Sequence, residues 1–444
     1  MKRSKSIDKI IWIVFAVVFS CAAIYFIFNI IFSPYWNSVY APAGYLSLVS
    51  MSAAESDEII YTKEQACEDL DYMFSCLNRV HPDYKDGVSE NVQKCLEEQK
   101  ESLNDQVTTL ELWRCAASLF NSTGDSNCIV EPSFTRHFLV DYLKKNNEGY
   151  RVTKINDMSI DEIFQKNSCY FSYELESWGK NSLRNCFQSA EGLEFIGFDA
   201  DNLKFEYQDR NNNYVTEIYN KSDFADYQTA SEQFNDIQNQ NKSYYSNIEK
   251  SKNVAVLTIN YCEFDTVFKE FLYQFFTEVI ENNIQNVVVD IRKNSGGTTQ
   301  VADEFLLYLT AKEYVTPSGT WRLGPYLMNW ESQNITINHY DETQFGGSLY
   351  ILTSSETFSS AEMFAEIIQA NKFGVIVGEP CGSKPDCCDD PVVFQTPNSL
   401  LTFQVSSKRY YRIDNNTTDE PLVPDVECPQ DEALEKVYEL IAKS

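Results

Sequence analysis

The hydrophobic pattern changes period several times along the chain. Residues 10–32, "IIWIVFAVVFSCAAIYFIFNIIF", are 23 residues without a charge. As a helix they would be about 35 Å long, against a bilayer hydrocarbon core of about 30 Å. From Tyr61 to Asn121 the apolar residues Ala66, Leu70, Met73, Phe74 and Leu77, then Leu110, Leu112, Trp113, Ala116 and Leu119, recur at helical spacing. This predicts a helical domain over 61–125. Strand-like "NCIVEP" and "GYRVTKIN", helix-like "SIDEIFQ" and the alternating "LKFEYQDRNNNYVTEIY", with its Asn-rich turn, predict a mixed α/β domain over 126–228. Residues 229–250 are polar with no apolar face and read as a linker or flap. "VAVLTI" then opens a last domain, 251–444, with α/β character.

The chemistry concentrates in that last domain. In "LYILTSSETFSSAEMFAEII", residues 349–368, an apolar strand-like run hands over to apolar positions at helical spacing, and "VIV" at 375–377 follows between two glycines. Strand, helix and strand close as a right-handed crossover with parallel strands. The adjacent Ser359 and Ser360 then fall beyond the carboxyl end of a strand and at a helix amino end, where free N–H groups gather and open α/β sheets place their sites. Serine is also an ordinary helix cap, so position alone leaves capping and nucleophile both open. "NVVVDIRKNSGG", residues 286–297, is a second strand ending in a glycine turn before a helix-like stretch. In one sheet the two turns would face each other.

Composition narrows the classes. The chain has 444 residues, 43% hydrophobic and 14% aromatic, enough for several domains with a sizeable core. The chain carries a net charge of −29, and the four cations and one anion of residues 1–32, net +3, leave −29 − 3 = −32 to the remainder, which excludes nucleic acid as an expected partner. No phosphate loop of the G-x-x-x-x-G-K-[ST] kind occurs. Lys2, Arg3, Lys5 and Lys9 precede the apolar run and no Lys or Arg follows until Lys63, so 1–9 is expected as a cytoplasmic tail, 10–32 as a transmembrane helix, 33–60 as a stalk and the bulk as extracytoplasmic. A signal peptide would have a shorter apolar core, and would export the same bulk. His81, His137 and His339 are far apart and no C-x-x-C pair is present, so no metal is expected.

At these residues the sequence resembles the C-terminal processing, or tail-specific, serine peptidases, with their tricorn-like and retinoid-binding-protein-like relatives. The family's D-L-R-x-N-x-G-G is similar to "DIRKNSGG", and its serine and V-G-E-x-T-x-G-K motifs to "TFSSAE" and "VGEPCGSK". The likeness covers roughly 251–428; "YRVTKINDMSIDEI" is weakly similar to the family's PDZ segment. It implies Ser359 as nucleophile, Lys384 as general base 25 residues later, and Gly296 or Gly297 with Ser360 as oxyanion amides. Cys388 stands where the lysine-using branch has Gln, and Asn127 where the histidine-using branch has His.

The resemblance thus implies a peptidase with a Ser–Lys dyad, a polypeptide substrate and no cofactor, anchored to the membrane by its first helix. The alternative is a catalytically silent member that binds peptides or apolar ligands in the same cleft. The sequence does not give the oligomeric state. Twelve cysteines lie outside the apolar run. Among them Cys381, Cys387, Cys388 and Cys428 crowd the region of Lys384, where at least one disulfide is expected. His81, in "RVHPDY", reads as a helix-end residue, and Glu362 as an acid complementing a helix dipole.

Overall fold

The computed structural model describes residues 5–42, 49–52, 59–134, 136–238, 242–340, 343–413 and 419–443. A helix, Lys5–Phe32, opens the chain, and among the described residues Trp12–Tyr35 is the one segment long and apolar enough to cross a membrane.

The start of the expected stalk is docked on the body. Helix Lys5–Phe32 runs straight into a 3-10 turn, Ser33–Tyr35, and strand Ser38–Tyr40 pairs antiparallel with strand Cys388–Gln395. Tyr35 is fully buried; its hydroxyl donates to the Arg322 carbonyl at 2.9 Å and accepts from the Gly324 amide at 3.0 Å. Burying a tyrosine with both hydroxyl valences used fixes this stretch to the body. Residues 43–48 and 53–58 of the expected stalk lie outside the described residues.

Helices Lys63–Val80, Glu90–Ser102 and Thr109–Asn121 occupy the expected helical region. Capping boxes at Thr62/Gln65 and Thr108/Glu111 start two of them, each satisfying orphan amides reciprocally. The middle region carries a four-stranded antiparallel sheet in the order Met158–Ser159, Arg151–Ile155, Leu203–Gln208, Tyr214–Tyr219. One core runs through both regions, from Leu70 and Phe120 to Phe205, and on to Phe394 and Phe403 of the last domain. The pattern-based boundary at 125/126 therefore divides elements and not cores.

The last domain holds the sheet that positions the site. Strands Val254–Ile259, Asn286–Asp290, Ser348–Thr353, Val375–Gly378 and Val426–Glu427 are neighbours in that order and parallel. Helices Thr266–Glu281, Gln300–Leu306 and Ser360–Ala370 contribute to the core on one face, and helix Ala433–Lys443 covers the other through Ala433 and Val437. Burial on both faces is why these strands read as unbroken apolar runs. A second sheet, antiparallel, joins Ser38–Tyr40, Cys388–Gln395, Thr402–Tyr411, Ser318–Leu323 and Tyr326–Trp330.

The expected linker over 229–250 is largely structured. Residues Tyr227–Gln238 are helical, and Tyr244–Glu249 pairs antiparallel with Val254–Ile259 as the edge of the parallel sheet. Tyr244 and Ile248 reach the core from one face of that strand, so two apolar side chains suffice where the polar composition conceals the alternation. Residues 239–241 lie outside the described residues.

Candidate active site

Strand Ser348–Thr353 ends in a turn that is stitched to the glycine turn beside it. Thr357 Oγ1 donates to the Ile291 carbonyl at 2.9 Å, Ser354 Oγ to the Arg292 carbonyl, and the Phe358 amide to the Asn294 carbonyl at 3.0 Å. Arg292 grips Asp290 through Nε and Nη2, at 2.8 and 2.6 Å, and fixes the far side of the same turn. The two turns that the sequence placed at strand ends are thus one rigid unit.

Ser359 sits at the junction with φ 53° and ψ −126°, a conformation that costs a non-glycine residue roughly 1–3 kcal/mol. It holds the N-cap position of helix Ser360–Ala370 and makes no capping bond. Instead its hydroxyl donates to Asp389 Oδ2 at 2.8 Å. The choice left open by position, between cap and reactive hydroxyl, falls against the cap. Ser360 Oγ donates to the Gly297 carbonyl at 3.1 Å, tying helix to glycine turn.

Both glycines are dictated by space and backbone. Gly296 has φ 110°, and a Cβ there would stand 2.9 Å from Ser359 Cβ. Gly297 has φ 133°, and a Cβ would run into the Cys262 carbonyl. Their amides differ. The Gly296 amide donates to Asn294 Oδ1 at 2.9 Å, whereas among the described residues no hydrogen bond takes the Gly297 amide. Ser360 opens its helix, so its amide has no intrahelical acceptor. Of the expected oxyanion donors, Gly297 and Ser360 are available and Gly296 is engaged. Asn294, fully buried and bonded also to the Ile259 carbonyl, is the residue that sequence reasoning missed here. Gly297→Ala is expected to lower thermal stability and peptide turnover together, the first read by a melting curve.

Asp389 is 7% exposed. Burial, then the charge of Asp390, pushes its carboxyl up to about 7, while the Ser359 hydroxyl and the Asp390 amide hold it back from rising further. Asp390 is itself compensated, by Lys408 Nζ at 2.5 Å and the Tyr410 hydroxyl at 2.9 Å.

Lys384 donates through Nζ to Asp419 at 3.5 Å. Its neighbour Ser383 accepts through Oγ from the Ser359 amide at 3.1 Å. A cavity of about 430 Å³ beside Lys384 is lined also by His81, Asp125, Glu174 and Cys388. Burial, and then the Asp125 charge, push Glu174 up to about 8, against the opposing pull of Lys384.

His81 caps helix Lys63–Val80 as the sequence suggests, and it is also buried, with Nε2 3.1 Å from Asp125 Oδ2. Its Nδ1 accepts from the Asp83 amide at 3.3 Å, which assigns the proton to Nε2. Burial alone would raise Asp125, but the hydrogen bond from His81, with that of Cys128, holds the carboxyl below its usual range. Asn127, where the histidine-using pattern has His, donates to the Cys388 carbonyl at 2.9 Å and so braces the strand residue before Asp389. Two groups, His81/Asp83/Cys388 and His81/Asp125/Cys128, bring ligand-type atoms within 4.8 Å of one another. Arg409 Nη1 already occupies Asp83 at 2.6 Å, and His81 with Cys128 already occupies Asp125.

Glu362 differs from its expected role. It is 2% exposed, its Oε1 has no protein hydrogen-bond partner, and burial followed by the Glu366 charge raises its carboxyl well above the ordinary range. A carboxyl held neutral cannot complement a helix dipole.

The expected disulfide does not form; all thirteen cysteines are free thiols. Cys381 lies in the core on one face of the parallel sheet, and Cys428 packs with the cluster on the other face. Cys388 points to Asp83 at 3.8 Å from the second sheet. These sulfurs are divided among separate layers, which thiol bridging geometry does not span.

Residues 225–428 match the profile of Peptidase family S41. The matched segment, 204 of the 444 residues, contains both turns, Ser359, Lys384 and Asp389. Among solved structures the chain is similar to mature CPAF complexed with lactacystin, at a TM-score of 0.60 and 11% identity over 86% of this chain and 97% of that one. A CPAF mutant gives 0.63 at 11% identity, over 86% and 97%. The photosystem II D1 C-terminal processing protease gives 0.45 at 12% identity, over 85% and 97%. The likeness to CPAF is one of fold across most of the chain, well beyond the matched S41 segment.

Proposed function

We propose that this chain is an active serine peptidase of family S41 in which Ser359 is the nucleophile and Asp389 its immediate proton acceptor. The observation that carries this is the 2.8 Å bond from the strained, non-capping Ser359 hydroxyl to a buried carboxyl poised at about 7. A general base works best with such a value near the operating pH. Ser359 Oγ attacks the peptide carbonyl as its proton passes to Asp389 Oδ2. The Gly297 and Ser360 amides receive the developing oxyanion, and Asp389 returns the proton to the leaving amine. Water then releases the acyl group by the same relay.

The Ser359–Lys384 dyad is a second reading, favoured by the bond of the Ser359 amide to Ser383, the residue before the lysine. It requires Nζ to leave Asp419 for Ser359. In either reading the first helix anchors the enzyme in a membrane with its bulk on the extracytoplasmic side, and the substrate is an unstructured polypeptide or protein tail. The silent peptide-binding alternative has the same fold without turnover. Purified chain incubated with an unfolded polypeptide is expected to cleave it, and Ser359→Ala to abolish cleavage. Absence of Ser359-dependent cleavage from pH 6 to 9 would refute the proposal.

A further inference from the structure

A second cavity, of about 310 Å³, begins at Ser360 and lies between helix Ser360–Ala370, the start of helix Gln300–Leu306 and the antiparallel sheet. We infer that it receives the side chain on the acyl side of the scissile bond and selects a large apolar one, Phe or Leu, over small or charged residues. The inference rests on Ser359 and the Ser360 amide being the reacting groups, since that side chain springs from the carbon next to the attacked carbonyl. A hollow whose wall includes Ser360 is therefore within one residue's reach of the reaction.

The chemistry of the wall gives the class. Trp321, Trp330 and Tyr410 come from the sheet, Met363 and Ile367 from the helix that Ser359 precedes, and Ala302 from the helix after the glycine turn. Trp330 and Tyr410 meet edge to face with centroids 5.4 Å apart, a stable aromatic pairing. Gly319 allows this arrangement, because a Cβ there would strike the Trp330 ring.

The polar groups on the wall are directed at each other. Trp330 Nε1 donates to the Pro317 carbonyl at 3.2 Å, and Tyr314 donates to Asp303 at 2.9 Å. The Tyr410 hydroxyl and the Lys408 ammonium both go to Asp390. What remains to a ligand is mostly ring faces, a thioether and methyl groups, beside the Thr299 hydroxyl and the second Asp303 oxygen. Such a lining rewards buried apolar area and offers an anionic side chain no new partner. Asp303 is the one acid on the wall, and a preference for Lys or Arg would be its signature.

The test uses synthetic peptides identical except at the residue before the scissile bond, which is Phe, Leu, Ala, Asp or Lys. Full-length protein is expected to show kcat/KM at least about tenfold higher for Phe and Leu than for Ala, within the 10–200-fold that a hydrophobic pocket achieves. Thr299→Trp, which places an indole at the mouth, is expected to reduce the Phe-to-Ala ratio about tenfold. A flat order, or Lys or Asp first, overturns the inference. So does a Thr299→Trp chain that folds, by its melting curve, and keeps the ratio.

Binding of the same peptides to Ser359→Ala separates this inference from the peptidase proposal. Tighter binding of Phe and Leu there, with no cleavage by the unsubstituted chain, removes the peptidase reading and keeps the pocket. Equal binding of all five removes the pocket.

Discussion

Asp389→Asn is expected to lower kcat by 10²–10⁴, the usual contribution of a positioned general base, with Ser359 left in place. The carboxamide keeps the size and one acceptor oxygen but takes no proton. In the unsubstituted enzyme kcat/KM is expected to rise with pH through a midpoint near 7. The base must be ionised to act, and the buried Asp389 carboxyl titrates at about 7. The Asn variant should lose that midpoint along with its activity. Lys384→Ala is expected to cost less than about tenfold, because its ammonium is bonded to Asp419 and the Ser359 proton has a nearer acceptor. The reverse pattern, a silent Lys384→Ala and a mild Asp389→Asn, would move the base to the lysine. Steady-state kinetics of the two variants on one peptide decide the matter.

A second large effect is expected in the pH dependence of stability. Asp389, Glu174 and Glu362 all have folded-state pKa values above the ordinary carboxylate range, chiefly through burial. Between about 4, where the unfolded chain would release these protons, and the raised folded-state values, about 7 for Asp389, about 8 for Glu174 and well above the ordinary range for Glu362, the folded state binds more protons. Stability therefore falls as pH rises through that window, by about 1.4 kcal/mol per pH unit for each group still protonated only in the folded chain. Asp125 works in the opposite direction but only at lower pH, where its depressed pKa is reached. The melting temperature is expected to be higher at pH 5.5 than at pH 8.5. Glu362→Gln should flatten the slope and raise the melting temperature at pH 8.5, since it replaces a buried acid whose Oε1 is unpartnered by one that cannot ionise. A melting temperature that climbs from pH 5.5 to 8.5 would contradict the raised values.

The residues readable in the sequence were those whose role follows from backbone position. Ser359 and the glycines stand where apolar runs end, and φ of 53°, 110° and 133° show how much conformational demand is packed into that junction. Asp389 was not readable, because a carboxylate gives no sequence sign of burial. In "CCDDPVVFQ" it is one of two adjacent acids that the sequence does not tell apart. The strand's inward positions at Val392 and Phe394 did offer a period of two, but Asp390, at φ 53°, interrupts it, and Asp389 and Cys388 are both buried. The edge strand Tyr244–Glu249 was missed because its two inward side chains are separated by Tyr245, Ser246 and Asn247, whose outward or polar character dominates a window average. The single core spanning 61–228 was missed for a different reason. Periodicity reports each element's own face, and not which faces share a partner.

With the first helix as a membrane anchor, the docking of Tyr35 would set how far the enzyme could reach. A disordered tether over 33–60 would let the catalytic body sweep up to about 90 Å from its anchor, at about 3.3 Å per extended residue. With the Lys5–Phe32 helix in a bilayer, Ser33 and Pro34 are all that separate its end from a tyrosine locked between Arg322 and Gly324. There is no leash. Anchored so, the enzyme would be held at the lipid surface, polypeptides already lying along that surface would have the advantage, and chains farther out would first have to come down to it.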